Sequence, residues 1–171
     1  MIQLPDTNLF IGTTDDLCQT NDQDWAFVHA TQTIHYKIFG WNRTTDKPNR
    51  NHPSYIFYEE NNLISLNWVD GAAHLYNWSG VETFNKVLDF IEKWNRQRKI
   101  LIHCDQGQSR SPTLGLLYLA KRLKSIPNDS FGNAKNEFIK ICPNYLPSGI
   151  GDYVAQNWNE IQIRKEFATI K

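Results

Sequence analysis

No stretch of this chain approaches the roughly 20 consecutive apolar residues that cross a bilayer, and this argues against a membrane-spanning protein. Net charge is missing as well, since 18 Lys and Arg balance 18 Asp and Glu. A general nucleic-acid binder or membrane-surface protein needs an excess of positive charge, so neither nucleic acid nor membrane is expected as a partner. Cysteine is scarce. Cys18, Cys104 and Cys142 stand far apart and in no metal-ligand spacing, and His29, His35, His52 and His74 add none. No metal or cofactor is therefore expected. Internal repeats, low-complexity tracts and interdomain linkers are absent, which leaves a single domain over residues 1–171 as the expectation. The start, Met1-Ile-Gln-Leu-Pro-Asp6, lacks the pattern of a secretion signal, and three unpaired thiols suit a reducing compartment. The expectation is a cytoplasmic protein; composition says nothing of its oligomeric state.

Aromatic residues, by contrast, are plentiful, with six Trp, seven Tyr and nine Phe, enough for a substantial core. The chemistry concentrates in His103-Cys-Asp-Gln-Gly-Gln-Ser-Arg-Ser-Pro112. An apolar run, Ile100-Leu-Ile102, precedes it and a helix-like apolar run, Thr113 to Ala120, follows. The stretch thus reads as a loop from a buried strand into a buried helix. Such a loop gathers free backbone N–H groups and the positive end of the helix dipole, which together favour a phosphate and a thiolate. Arg110, six positions after Cys104, can grip two phosphoryl oxygens with its planar fork. Gly107 permits the backbone turn that points Asp105, Gln106, Gly107, Gln108 and Ser109 N–H groups inward as a nest. Ser111 is placed to hydrogen-bond the sulfur and ease its departure in a second step. His103 is expected to hold the loop in shape through side-chain hydrogen bonds.

With this stretch the chain resembles the cysteine-dependent protein tyrosine and dual-specificity phosphatases, whose signature is His-Cys, five residues, Arg, then Ser or Thr. Every position of that signature is matched. Gln106 stands where the dual-specificity branch usually carries a small residue, and Asp105 makes the rim less basic than usual. The resemblance implies hydrolysis of phosphomonoesters through a cysteinyl-phosphate, with phosphorylated proteins as partners. The same branch also acts on phosphoinositides, RNA 5′ ends and carbohydrates, so a non-protein substrate is the alternative. A catalytically inactive phospho-binding module is a rival reading, disfavoured because cysteine, arginine and a candidate acid are all present, and a rhodanese-type sulfurtransferase is another, disfavoured by the His-Cys lead and by Arg110 in position.

In that family the general acid is an Asp on a loop after a strand upstream of the nucleophile. Leu63 to Asn67 reads as such a strand and runs into Trp68-Val-Asp70-Gly71, so Asp70, 34 positions before Cys104, is the candidate. Gly71 would hinge the loop that carries it. Asp105 is the runner-up acid, although its charge within the cradle would oppose the substrate. Ser148-Gly149 lies where related domains bring a last loop near the pocket.

The remaining elements predict an α/β fold: a central, mostly parallel sheet flanked by helices, with the phosphate loop between a central strand and a buried helix. Strands are expected at Asn8–Gly12, Asp24–His29, Tyr55–Tyr58, Leu63–Asn67 and Lys99–His103, with a buried or strand-like piece at Ile34–Phe39. Ser79-Gly-Val-Glu82 matches a capping box opening an amphipathic helix that ends near Arg98. Lys121, Arg122 and Lys124 complement the dipole of the helix after Pro112. Asn128-Asp-Ser130 caps a further helix, and Ile150, Val154, Trp158 and Ile161 face inward from the last one. Residues 40–53 read as a long surface loop: either Trp41, Arg43, Lys47 and Arg50 frame the approach to the pocket, or the loop is solvated and its Trp folds back on the core. Cys142 is either an ordinary half-buried thiol or a partner for an oxidised Cys104.

Overall fold

A six-stranded sheet organises the protein, whose structure, a computed structural model, describes residues 1–161. In chain order the strands are β1 Ile2–Gln3, β2 Leu9–Thr13, β3 Trp25–His29, β4 Phe57–Glu60, β5 Leu63–Leu66 and β6 Lys99–Cys104, arranged β1-β2-β6-β3-β5-β4. β6 runs parallel to both β2 and β3, and β3 to β5; β1 and β4 lie antiparallel at the edges. The run Ile100-Leu-Ile102 is central for the expected reason, because apolar side chains alternate to both faces and both faces are covered. Ile100 and Ile102 enter the larger core, whereas Leu101 joins Trp25 and Phe27 in a small cluster on the other face.

The helices are α1 Gln32–Phe39, α2 Gly80–Trp94, α3 Arg110–Leu117, α4 Phe131–Ile141 and α5 Gly149–Gln156. α3 is buried along its whole length and packs on β6 and β2, continuing as a π-helical turn over Tyr118–Leu123. α2 buries Phe84, Val87, Leu88, Phe90 and Ile91, the apolar stripe read from its 3.6-residue period. Ile150, Val154, Trp158 and Ile161 are all buried, the last two beyond the end of α5. The single domain expected over residues 1–171 includes ten residues, 162–171, that lie outside the described ones.

Three local expectations are corrected. Ile34–Phe39 is helical, because Thr31 caps α1 by accepting from the Thr33 N–H (3.2 Å) and Gly40 ends it in the left-handed conformation (φ 66°). Ser79 does not cap α2. Its own backbone is already helical (φ −76°, ψ −38°), and its hydroxyl accepts from the indole N–H of the buried Trp68 at 2.6 Å. The basic run after α3 does more than complement a dipole. Arg122 pairs with Asp89 and Glu92 of α2, and Lys121 is buried, donating to the Trp158 carbonyl at 2.7 Å. Burial pushes the Lys121 ammonium down to about 8. Ser130 does cap α4, accepting from the Asn133 N–H at 3.2 Å.

Candidate active site

β6 delivers Cys104 to the carboxyl edge of the sheet, and the chain turns through 105–109 into α3. Strand register arranges what lies beneath. His103 stands opposite Gly12 on β2 and His29 on β3, so the rings of His29 and His103 are cross-strand neighbours, and Nδ1 of the first bonds Nε2 of the second. His103 Nδ1 also lies 3.4 Å from the Thr14 hydroxyl, so its ring ties β6 to the segments on either side. Burial pushes His29 down to about 3, assisted by the neighbouring His103 and His35. It pushes His103 down to about 4, against the opposing pull of Asp105 and Asp16.

Cys104 alternates to the other face, 1% exposed, with Sγ 3.3 Å from the Ser111 hydroxyl. That hydroxyl also lies 3.2 Å from the Gly12 carbonyl oxygen, which accepts its proton while the sulfur keeps its own; once the sulfur is a thiolate the same proton can turn to it. Gly107 crowns the loop at φ 68°, and a Cβ there would come within 3.0 Å of the Gly12 carbonyl oxygen and 3.1 Å of Thr13 Cγ2. Glycine is thus required both by the left-handed backbone and by the approach of β2. Ser109 precedes α3 without capping it through its side chain, so no hydroxyl fills the anion-attracting end of the helix.

Arg110 is 3% exposed, and its fork is held at two points: Nη1 donates to the Trp68 carbonyl and Nη2 to Asp105 Oδ2, both at 2.8 Å. Its Nε–H is buried and has no partner among the described residues. A buried guanidinium N–H left open costs free energy until an acceptor arrives, and a phosphoryl oxygen is a suitable one. Asp105 is anchored on its other side by the Thr31 hydroxyl (2.7 Å). Burial alone would raise the Asp105 carboxyl, but Arg110 and Thr31 outweigh it and hold the group below the usual carboxylate range. Asp105 therefore serves Arg110 as a counter-charge, an arrangement that does not favour it as the acid.

Asp70 reaches the same cleft from the loop after β5. Its Oδ1 accepts from the Ser148 hydroxyl at 2.5 Å and from that of Ser109 at 3.3 Å, and the two hydroxyls are 2.8 Å apart. The start of α5 packs directly on this loop, since a Cβ on Gly149 would lie 2.2 Å from the Gly71 carbonyl oxygen. The expected hinge at Gly71 is accordingly docked in this structure. Tyr76 adds a further tie, donating its hydroxyl to the Val69 carbonyl at 3.1 Å.

Cys104, Ser109, Arg110, Ser111, Asp105 and Asp70 are thus brought together, and Gln106 lines the cleft of about 280 Å³ above Arg110. The Gln108 carbonyl accepts from the Leu146 N–H at 2.9 Å, which ties the loop to the segment before α5. Sequence reasoning missed Thr31, Gln32, His29 and the specific task of Ser148. Only Ser148, beside a helix-opening glycine, carried any local signal. In the 40–53 loop both readings hold in part: Trp41 stacks on Phe39 (ring centroids 4.5 Å apart), while Arg43 lines the cleft.

A family model described as the dual specificity phosphatase catalytic domain matches residues 23–146. The chain belongs to that family. Among its relatives are human dual specificity protein phosphatase 5, 33% identical over 85 residues (43% of this chain, 22% of that one), and the Caenorhabditis elegans tyrosine-protein phosphatase vhp-1, 38% identical over 63 residues (36% and 10%). The match therefore spans less than a quarter of the length of either. The fold is shared with the human tyrosine phosphatase-like serine/threonine/tyrosine-interacting protein (TM-score 0.57, 17% identity, 92% of this chain and 93% of that one). It is shared too with the Yvh1 phosphatase domain from Chaetomium thermophilum (TM-score 0.54, 17% identity, 91% and 92%). Among the described residues no helix is long and apolar enough to cross a membrane.

Proposed function

We propose that this chain hydrolyses phosphomonoesters on phosphorylated proteins through a cysteinyl-phosphate, in a cytoplasmic, reducing setting that keeps its nucleophile a free thiol. The observation that carries the reading is that Asp70 and Arg110 line one cleft, with Cys104 buried at the start of the loop that ends in Arg110 and with an Arg110 Nε–H that has no partner among the described residues. Cys104 Sγ attacks phosphorus in line while Arg110 and the backbone N–H groups of 105–110 take the equatorial oxygens. Asp70 gives its proton to the departing alcohol or phenol, then receives one from the water that attacks the phosphocysteine. Ser111, 3.3 Å from Sγ, stabilises the sulfur as it leaves. The names of the relatives above, which are protein phosphatases, support a phosphoprotein substrate.

The test is turnover of a small aryl phosphate in the presence of a chelator, with Cys104→Ser and Asp70→Asn beside wild type. Loss of all turnover with Cys104→Ser and a fall of about 10²-fold or more with Asp70→Asn is expected. A folded, reduced wild type that turns nothing over would sink the catalytic reading and favour a phospho-binding module.

A further inference from the structure

Three histidine rings are buried in this protein, and two of them use both of their nitrogens. His35 bonds Ser65 through Nδ1 and the Ser54 carbonyl through Nε2, while His103 bonds Thr14 through Nδ1 and His29 through Nε2. His29 differs. Its Nδ1 is bonded to His103, but its Nε2 has no hydrogen-bond partner among the described residues, although the residue is only 5% exposed. Nor is that nitrogen sealed in, because the buried side-chain nitrogens left without partners there belong to Trp94, Arg110 and Arg122. Nε2 therefore opens on a surface. The surface that His29 borders is a hollow of about 320 Å³, on the face of the sheet that carries the small Trp25, Phe27 and Leu101 cluster.

Strand alternation puts Phe27 and His29 on one face of β3, where their rings stack with centroids 5.7 Å apart and 20° between planes. Leu17, Ile34 of α1 and Leu63 of β5 extend this wall, and Asp22 also lines the hollow. Asp22 is fixed through its backbone carbonyl, which accepts from Asn62 and Arg98, while its carboxylate bonds nothing among the described residues. Aromatic and aliphatic surface beside an open imidazole nitrogen and a free carboxylate suits a flat ring that carries N–H donors on two edges.

We propose that this hollow binds a small flat heteroaromatic amine, of the aminoazole or aminopurine kind, and that its occupant acts on the ring beneath the phosphate loop. The ligand lies on Phe27, Ile34 and Leu63, donates one N–H to His29 Nε2 and turns another toward the Asp22 carboxylate. Accepting at Nε2 fixes the His29 proton on Nδ1, which donates to His103 Nε2. The His103 proton then stands on Nδ1, facing the Thr14 hydroxyl. Occupancy on the far side of β3 is thus felt at the residue before Cys104 through hydrogen bonds already in place.

The experiment titrates adenine into the full chain and follows the histidine rings by long-range proton–nitrogen NMR. A dissociation constant of about 1 mM or tighter is expected for a ligand of this size. The His29 Nε2 signal should move to saturation as an acceptor, and the His103 proton should settle on Nδ1 in the same titration. His35, already bonded at both nitrogens, should stay where it was. Ile34→Trp fills the hollow and should abolish the His29 response, the retained His29–His103 pairing showing in the same spectra that the fold is intact. Asp22→Asn, an exposed change that touches no core, should weaken adenine about threefold or more, and it carries the test if Ile34→Trp does not fold. Absence of a saturable shift by about 5 mM, an equal shift at His35, an unmoved His103, or wild-type affinity in either variant would each overturn the proposal. None of these readouts uses turnover, so the result is independent of the phosphatase reading.

Discussion

Lowering the pH from about 7 to about 5 should destabilise this fold through three buried histidines. Burial pushes His29 down to about 3, with the charges of His103 and His35 adding to it. His35 falls to about 4, burial outweighing its hydrogen bonds to Ser54 and Ser65, and His103 also falls to about 4. In the unfolded chain each returns to the ordinary 6.5. The sign follows from proton counting. Folded-state values are depressed, so below 6.5 the unfolded chain takes up protons that the native state refuses, and the stability present above that pH is lost as pH falls toward 4. At pH 5 each histidine costs about 2 kcal/mol relative to neutral pH, and the three together about 6 kcal/mol. That is comparable to the whole stability of an ordinary domain, about 5–15 kcal/mol. Asp16 and Asp105 do not share this window. Hydrogen bonds and opposite charges outweigh burial and hold both below 3.8, so their contribution is lost only under stronger acid. Urea denaturation followed by tryptophan fluorescence, in steps from pH 7.5 to about 4.5, reads the effect directly, with a limiting slope of about 4 kcal/mol per pH unit. His35→Gln, which keeps a donor and an acceptor, should lower that slope by about a third. A urea midpoint that stays constant from pH 7 to 5 would refute the assignment of these rings as neutral.

Ser111→Ala should spare the first chemical step and slow breakdown of the phosphocysteine by about 10- to 100-fold, since a hydrogen bond to a charged sulfur is worth about 1.5–3 kcal/mol. Rapid-quench or stopped-flow detection of a burst, with labelled phosphoenzyme accumulating, checks it. Ser148→Ala removes the shorter of the two hydroxyl bonds to Asp70, so kcat should fall about three- to tenfold with KM little changed. A KM change at constant kcat would mean that Ser148 meets substrate and does not orient the acid.

What sequence alone determined about this protein is its local chemistry. The spacing of Cys104, Gly107, Arg110 and Ser111 marked out the proposed phosphate loop because its parts are contiguous, each placed by backbone that the next few residues shape. The apolar runs of β6 and α3 identified a buried strand and a buried helix, and the position of Asp70 after β5 followed from the family pattern. Local patterns also misled where a tertiary partner outbid a nearby one, as at Ser79, whose hydroxyl serves the Trp68 indole and caps nothing. Only the tertiary structure decided who steadies the site. Ser148 meets Asp70 across 78 positions, Thr31 and His29 meet Asp105 and His103 across 74, and Arg110 finds the Trp68 carbonyl across 42. These contacts depend on strand register and on α5 docking against the Asp70 loop. No short-range periodicity encodes either, so the charge balance around the proposed phosphate site comes into view only in the folded chain.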